Sequence, residues 1–316
     1  MHGLIPLGIK SQLRMAERMK VLLTGASGML GSALWNDLEV SPSVSKIFRL
    51  QRLSQPKTAK NSSQISLSEA AAYKFDVVIH AGSPASPVNH TKPADVFTAN
   101  VHHTEALVDT VDEGGLFIYI STGEVYGPSA DSPISEDAHP LPVLLGPRSY
   151  YPLAKLSGES ISQSRRDVRV VIFRLFHTFG PGVKRGDGRS FGDFLWGAAT
   201  TGKVPLASSG TAVRSFMGSE DFVRAVRLAM TDKSMNGIYN LGSPLPMSIY
   251  GFAELVCEVS GASLVMEKRT NNLIPSPISI HFPDTKKLEF HGWDRHQTLD
   301  DAVEKTLREI RIQANL

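Results

Sequence analysis

The chain has 316 residues, of which 41% are hydrophobic and 20% charged, a globular composition long enough for one large α/β domain with a smaller lobe attached. Its 33 basic and 31 acidic residues leave a net charge of +2, so no broad positive field points to nucleic acid or an anionic membrane, and an anionic ligand has to be met locally. No run reaches the roughly 18 apolar residues of a membrane span, and the single cysteine, Cys257, cannot close an internal disulfide, which fits a reducing compartment and makes the cytoplasm the expected location.

Residues 1–19 contain the apolar stretch Leu4-Ile5-Pro6-Leu7-Gly8-Ile9, without the basic start or small-residue cleavage site of a signal peptide. With Met15 and Met19 just ahead of the first strand, they are set apart from the fold as an N-terminal extension. Lys20-Val21-Leu22-Leu23 then runs into Thr24-Gly25, and Leu30, Ala33, Leu34 and Leu38 recur at helical spacing, which predicts a strand, a glycine turn and a helix. A β-like run at 47–50 and a polar stretch lead to Phe75-Asp76-Val77-Val78-Ile79-His80-Ala81, whose unbroken apolar core suits a strand covered on both faces. A helix over 93–111 follows, then the buried run Leu116-Phe117-Ile118-Tyr119-Ile120 ending at Ser121-Thr122, a Pro-rich loop, a helix over 149–164 and a strand over 168–175.

This alternation predicts an α/β fold with a doubly wound parallel sheet of the Rossmann type, ligands at the carboxyl ends of its strands, and a dinucleotide-binding domain over residues 20–175. Beyond Phe176 the rhythm changes to Gly- and Pro-rich loops, helices over 219–230, 249–259 and 299–312, and an isolated strand at 238–240. Residues 176–316 are therefore expected to form a smaller α/β substrate lobe, with segments free to return to the main sheet.

Three constellations carry chemistry. Gly25-Ala26-Ser27-Gly28-Met29-Leu30-Gly31 is a GxxGxxG pattern between strand and helix; its glycines permit a tight turn, and the helix start offers unpaired N–H groups to a pyrophosphate. About twenty residues on, where a carboxylate would accept the ribose hydroxyls of NAD, the chain reads Arg49-Leu50-Gln51-Arg52, so Gln51 and Arg52 lean toward the 2′-phosphate of NADP. In Tyr151-Pro152-Leu153-Ala154-Lys155, Pro152 belongs to the first helical turn, and the i,i+4 spacing puts Lys155 on the face of Tyr151, where its charge would favour a phenolate base. Ser121-Thr122-Gly123-Glu124-Val125-Tyr126-Gly127 follows a strand at its carboxyl end, where the Thr122 hydroxyl can reach both a substrate oxygen and the tyrosine, and Glu124 can assist proton movement. The bland readings are a strand-to-helix turn, a chance YxxxK, a helix cap for Thr122 and a solvated carboxylate for Glu124. The chain order of all three motifs argues for the site. No motif suggests a bound metal.

Taken with Pro147-Arg148-Ser149, Phe179-Gly180-Pro181-Gly182, Asp187-Gly188-Arg189 and Arg214-Ser215-Phe216, these stretches resemble the extended short-chain dehydrogenases that act on nucleotide sugars, the NAD-dependent epimerase/dehydratase family. Ala81-Gly82-Ser83-Pro84-Ala85-Ser86-Pro87 and Glu124 are most similar to its UDP-glucuronate decarboxylase branch. The resemblance implies Tyr151 as base, Lys155 on the nicotinamide ribose and Thr122 on the sugar O4. It further implies that Ala81, Gly82 and Asn100 lie beside the cofactor, that Ser83 faces the substrate, and that His177, Arg189 and Arg214 line the nucleotide diphosphate. Two residues depart from the pattern: Gly123 stands where dehydratases have Asp and decarboxylases usually Ser, and His177 where Asn is usual. The shared chemistry would be oxidation and reduction at the sugar C4, leading to epimerisation, ketoreduction or decarboxylation. A homodimer built on the helices near 93 and 149 is expected by the same analogy. The rival is a catalytically silent dinucleotide-binding redox sensor, which needs the glycine loop but not Tyr151, Lys155 and Thr122.

Overall fold

A computed structural model describes residues 18–50, 62–84, 92–129, 131–144, 146, 148–186, 188–267 and 278–316. Gln51 and Arg52, on which the preference for NADP rests, lie outside the described residues, as do Pro147 and Asp187.

The first half alternates strand and helix. β1 (Met19–Thr24), α1 (Met29–Glu39), β2 (Val44–Leu50), β3 (Ser62–Ile65), α2 (Leu67–Ala70) and β4 (Phe75–His80) lead to α3 (Pro93–Phe97). A wide helical turn over Thr98–His102, in which the His103 N–H reaches Thr98 O, joins α3 to α4 (His103–Val108). β5 (Val111–Thr122), a 3-10 segment (Gly123–Ser129), α5 (Tyr150–Ser162) and β6 (Arg169–Leu175) complete it. The second half adds β7 (Thr178–Phe179), α6 (Ser190–Thr201), β8 (Lys203–Leu206), β9 (Val213–Ser215), β10 (Met217–Gly218), α7 (Ser219–Thr231) and β11 (Gly237–Leu241). After these come β12 (Pro246–Ser248), α8 (Ile249–Ser260), β13 (Ser263–Met266), β14 (Ile280–His281), α9 (Lys286–Phe290) and α10 (Leu299–Gln313).

Seven strands form one parallel sheet in the order β11-β6-β5-β4-β1-β2-β3. The apolar runs belong here because alternate residues face opposite layers. Val21, Leu23, Val77, Ile79, Leu116, Ile118, Val171 and Phe173 meet Leu34, Trp35 and Leu38 of α1 and Phe222, Val226 and Ala229 of α7. Leu22, Val78, Phe117, Tyr119, Val170 and Ile172 pack on the other side with Leu107 and Val108 of α4. The strand expected at 238–240 is not isolated: it is β11, the sheet edge, paired in parallel with β6 from Gly237↔Val171 to Leu241↔Leu175. β3 escaped the sequence reading because Ser62-Ser63-Gln64 is polar, as an edge strand tolerates.

The remaining elements make a second core, in which Phe194 and Leu195 of α6, Phe252 and Val256 of α8, Val303 and Leu307 of α10 and Phe216 pack together. β9, with β12 and β14 on either side, and β13 beside β8 flank this core. The order of the large sheet reverses between β1 and β4, so a crevice opens where the chain turns away on both sides; this is the place where doubly wound sheets hold ligands. Among the described residues no helix is long and apolar enough to cross a membrane.

Candidate active site

A cavity of about 1160 Å³ lies over that crevice and extends to the second core. On one side it is lined by the whole glycine turn, Gly25 to Gly31. Gly25 has φ 73°, and a Cβ on Gly31 would stand 2.0 Å from Gly25 O, so the helix can approach the turn this closely only without a side chain there. α1 begins at Gly28 with no side-chain cap and no acidic residue in its first turn. Its leading N–H groups are thus left to an anion, which fits the pyrophosphate of a dinucleotide.

Under the turn a hydrogen-bond chain braces the floor. His80 Nε2 stands 2.9 Å from Ala99 O; a carbonyl only accepts, so Nε2 carries the proton and Nδ1 accepts from Thr24 Oγ1 at 2.7 Å. Thr24 Oγ1 in turn accepts from Gly82 N–H at 2.9 Å, tying β4 to β1 beneath Ala81 and Gly82. Burial and the Lys155 charge hold His80 down to about 3, so this relay is neutral and fixed. Neither Thr24 nor His80 was singled out in the sequence, although a polar residue closing an apolar strand at its carboxyl end was the signal.

At the centre, Tyr151, Pro152 and Leu153 fall in the first turn of α5, and Tyr151 and Lys155 both reach the cavity although buried. Thr122 and Tyr151 both line the cavity, and the Thr122 side chain acts to hold the Tyr151 phenol down against burial. Lys155 behaves differently from expectation. Its Nζ donates to Ile120 O at 2.6 Å and lies 4.9 Å from the centre of the Tyr119 ring, and burial, partly offset by Glu159, brings its pKa down to about 7. The phenol is raised to about 12 by burial and by Glu124; Arg189, Arg148 and the Thr122 hydroxyl act against that rise, rather than Lys155. The i,i+4 spacing put amine and phenol on one face, but it could not show that the amine is anchored to a strand carbonyl.

Beneath Lys155 lies a buried ionic network absent from the sequence expectations. Arg174 clasps Glu159 with Nε to Oε1 at 3.1 Å and a terminal nitrogen to Oε2 at 2.7 Å, and Ser121 Oγ donates to Oε1 at 2.5 Å. Glu159 stands four residues after Lys155, one turn further along the same helix face.

The other expected residues divide. Ser83, Glu124, His177 and Arg189 line the cavity. Glu124 is ion-paired with Arg148 at 3.0 Å. His177 is held well below its ordinary value by burial and the Arg214, Arg189 and Arg148 charges, so it meets a ligand as a neutral imidazole. Asn100 and Arg214 do not line the cavity. Asn100 is fully buried and braces Ser83, its Nδ2 donating to Ser83 Oγ at 2.9 Å while Oδ1 accepts from Tyr119. Arg214 spends its guanidinium on the carbonyls of Val213 at 2.7 Å and Ile278 at 2.7 Å, fastening β9 to the segment before β14. The cavity brings in Lys184, Arg185, Phe176 and His281, which local sequence pattern did not mark. Among the described residues no cluster of three metal-ligating side chains occurs.

A reversed parallel sheet with an open helix start at its switch point defines a dinucleotide-binding α/β protein of the short-chain dehydrogenase type. Residues 21–242 match the NAD dependent epimerase/dehydratase family, and the chain belongs to that family. UDP-glucuronic acid decarboxylase 1 of Xenopus tropicalis is 28% identical over 324 residues, covering 95% of this chain and 75% of that one. UDP-glucuronic acid decarboxylase 6 of Arabidopsis thaliana is 24% identical over 326 residues, covering 98% and 94%. Among solved structures, UDP-glucose 4-epimerase of Thermotoga maritima has a TM-score of 0.80 at 22% identity, over 94% of this chain and 100% of that chain. UDP-glucuronic acid 4-epimerase of Bacillus cereus, in complex with UDP-glucuronic acid and NAD, has a TM-score of 0.77 at 24% identity, over 93% and 100%.

Proposed function

We propose that this protein is an enzyme that oxidises and re-reduces C4 of the sugar in a nucleotide-diphosphate sugar, using a nicotinamide dinucleotide. The observation that carries the reading is the convergence of Thr122, Tyr151 and Lys155 in the same cavity as the open start of α1. Tyr151 takes the proton of the C4 hydroxyl while Thr122 holds the same oxygen, and the proton returns by the same route on reduction. The bound nicotinamide supplies the hydride acceptor and donor. Lys155 would hold the ribose of that cofactor from the cavity wall, over the floor that Thr24 and His80 brace beneath Ala81 and Gly82. Lys184, Arg185 and Arg189 give the diphosphate a local positive wall in a chain of almost balanced charge, and the neutral His177 beside them offers it a hydrogen bond. Glu124, ion-paired with Arg148 at the cavity wall, accepts a proton from the sugar next to the reacting carbon in this reading. A silent redox sensor would need none of these proton-handling groups, and their convergence disfavours it.

Family membership supports NAD, whereas Gln51 and Arg52 support NADP as the preferred form. Mass spectrometry of what heat-denatured, freshly purified protein releases, followed by turnover assays with UDP-glucose and UDP-glucuronic acid, tests both levels. The expected result is a nicotinamide dinucleotide and turnover of at least one sugar. Release of no dinucleotide and no turnover with either cofactor would remove the proposal.

The helices α3, α4 and α5 lie side by side on one face, and we propose that they pair two copies into a dimer. Light scattering at micromolar concentration is expected to give twice the chain mass of 34.4 kDa; a value at the chain mass would reject it.

A further inference from the structure

By the resemblance described above, Gly123 departs from the serine or aspartate of that pattern, and the structure shows what takes the space a side chain would need. A Cβ on Gly123 would lie 2.9 Å from His281 Cε1 and 2.9 Å from Phe176 Cζ, so both rings occupy the volume a side chain would need. The rings lean on one another, with centroids 4.7 Å apart and planes 31° apart. His281 Nε2 stands 3.0 Å from Gly123 O and is the donor of that bond, since the carbonyl can only accept. The imidazole thus comes from β14, 158 positions along the chain, and bonds the residue next to Thr122.

With Nε2 engaged, Nδ1 is the ring's one remaining polar atom. His281 lines the cavity, and Nδ1 has no hydrogen-bond partner among the described residues, nor does it count among the buried polar atoms left without one. Burial and the Arg214 charge, against the Gly123 hydrogen bond, bring the imidazole down to about 4. At neutral pH Nδ1 therefore carries a lone pair and no proton.

We propose that His281 is a specificity-determining residue that replaces the missing side chain at position 123 and accepts a hydrogen bond through Nδ1 from a hydroxyl of the bound sugar. This rests on the nucleotide-sugar reading given above. A single neutral hydrogen bond corresponds to roughly a tenfold change in affinity.

The test uses calorimetric titration of the full chain, loaded with its dinucleotide, with UDP and with UDP-glucose. His281→Phe keeps an aromatic ring beside Phe176 and removes Nδ1; His281→Ala removes both. The expected result is about tenfold weaker UDP-glucose binding in His281→Phe, unchanged UDP binding, and a thermal midpoint close to wild type. His281→Ala should lose at least as much sugar affinity, so the assignment stays testable if one variant folds poorly. Wild-type affinity for UDP-glucose in either folded variant overturns the assignment, as does an equal loss for UDP, which would make His281 a packing residue. Wild-type protein that binds neither ligand overturns the nucleotide-sugar reading itself, and this inference with it.

Discussion

Tyr151→Phe is expected to lower kcat on any sugar the enzyme turns over by about 10²–10⁴-fold, the contribution of a positioned proton-transfer group. Nucleotide-sugar affinity should change by less than about threefold. Tyr151 is 6% exposed, so the ring itself is part of the packing with Val96 and Ala154, and phenylalanine preserves it while deleting the phenol oxygen. The cost in stability is that of one hydrogen bond, roughly 0.5–1.5 kcal/mol. The pH dependence follows from the direction of the shift. In the unloaded site the phenol is raised to about 12, so it is protonated at neutral pH and ready to donate in the reductive direction. Oxidation needs the phenolate, and kcat for that direction should rise with pH up to the tyrosine pKa in the loaded complex, while reduction falls over the same range. Lys155, at about 7, loses its charge as pH rises through neutrality, which blunts the rise in oxidation just above pH 7. Equal activity of wild type and Tyr151→Phe, measured by steady-state kinetics from pH 6 to 10, would remove the phenol from the mechanism.

Glu159→Ala is expected to be the most damaging substitution for stability near the site, by about 3–5 kcal/mol, because it leaves the Arg174 guanidinium buried without its counter-charge. Both residues are 3% exposed, and three of the hydrogen bonds described above converge on the carboxylate. Replacing the pair by apolar residues of similar volume should cost far less than breaking it, since most of the penalty is the stranded charge. Glu159→Gln keeps the volume and one acceptor and should fall between. Urea denaturation followed by circular dichroism gives the comparison; a loss under 1 kcal/mol for Glu159→Ala would mean that water reaches Arg174. Glu159 also raises the Lys155 pKa against burial. Its removal in a variant that still folds should move the lysine limb of the pH–rate profile to lower pH.

The pattern of what was legible is physical. The strand, glycine turn and helix at 19–39, and the tyrosine in the first turn of α5, depend on backbone sterics and helical periodicity over a few residues, so sequence spacing reveals them. The buried strands β4 and β5 were readable because both faces are covered and their apolar runs are unbroken. The edge strands β3 and β11 carried weaker signals, one polar and one in a Gly-rich setting, and only pairing with β2 and β6 assigns them to the sheet.

Within the site, residue types were foreseen better than partners. That Lys155 shares a face with Tyr151 follows from 3.6 residues per turn; that Ile120 O takes its proton follows from β5 passing beneath α5. Asn100 and Arg214 have the chemistry of ligand contacts, yet the fold turns one to brace Ser83 and the other to clamp β9 to its neighbour. His281 has no local signal at all, because its meaning comes from an absent side chain 158 positions earlier.

From the sequence alone came the doubly wound class, the glycine turn and the order of the catalytic groups, since each is set by interactions spanning one or two turns of backbone. The tertiary structure decided which polar groups are buried together, and with that the protonation of Lys155, Tyr151 and His281. Desolvation and charge pairing depend on distance in space, and residues far apart in the chain supply both.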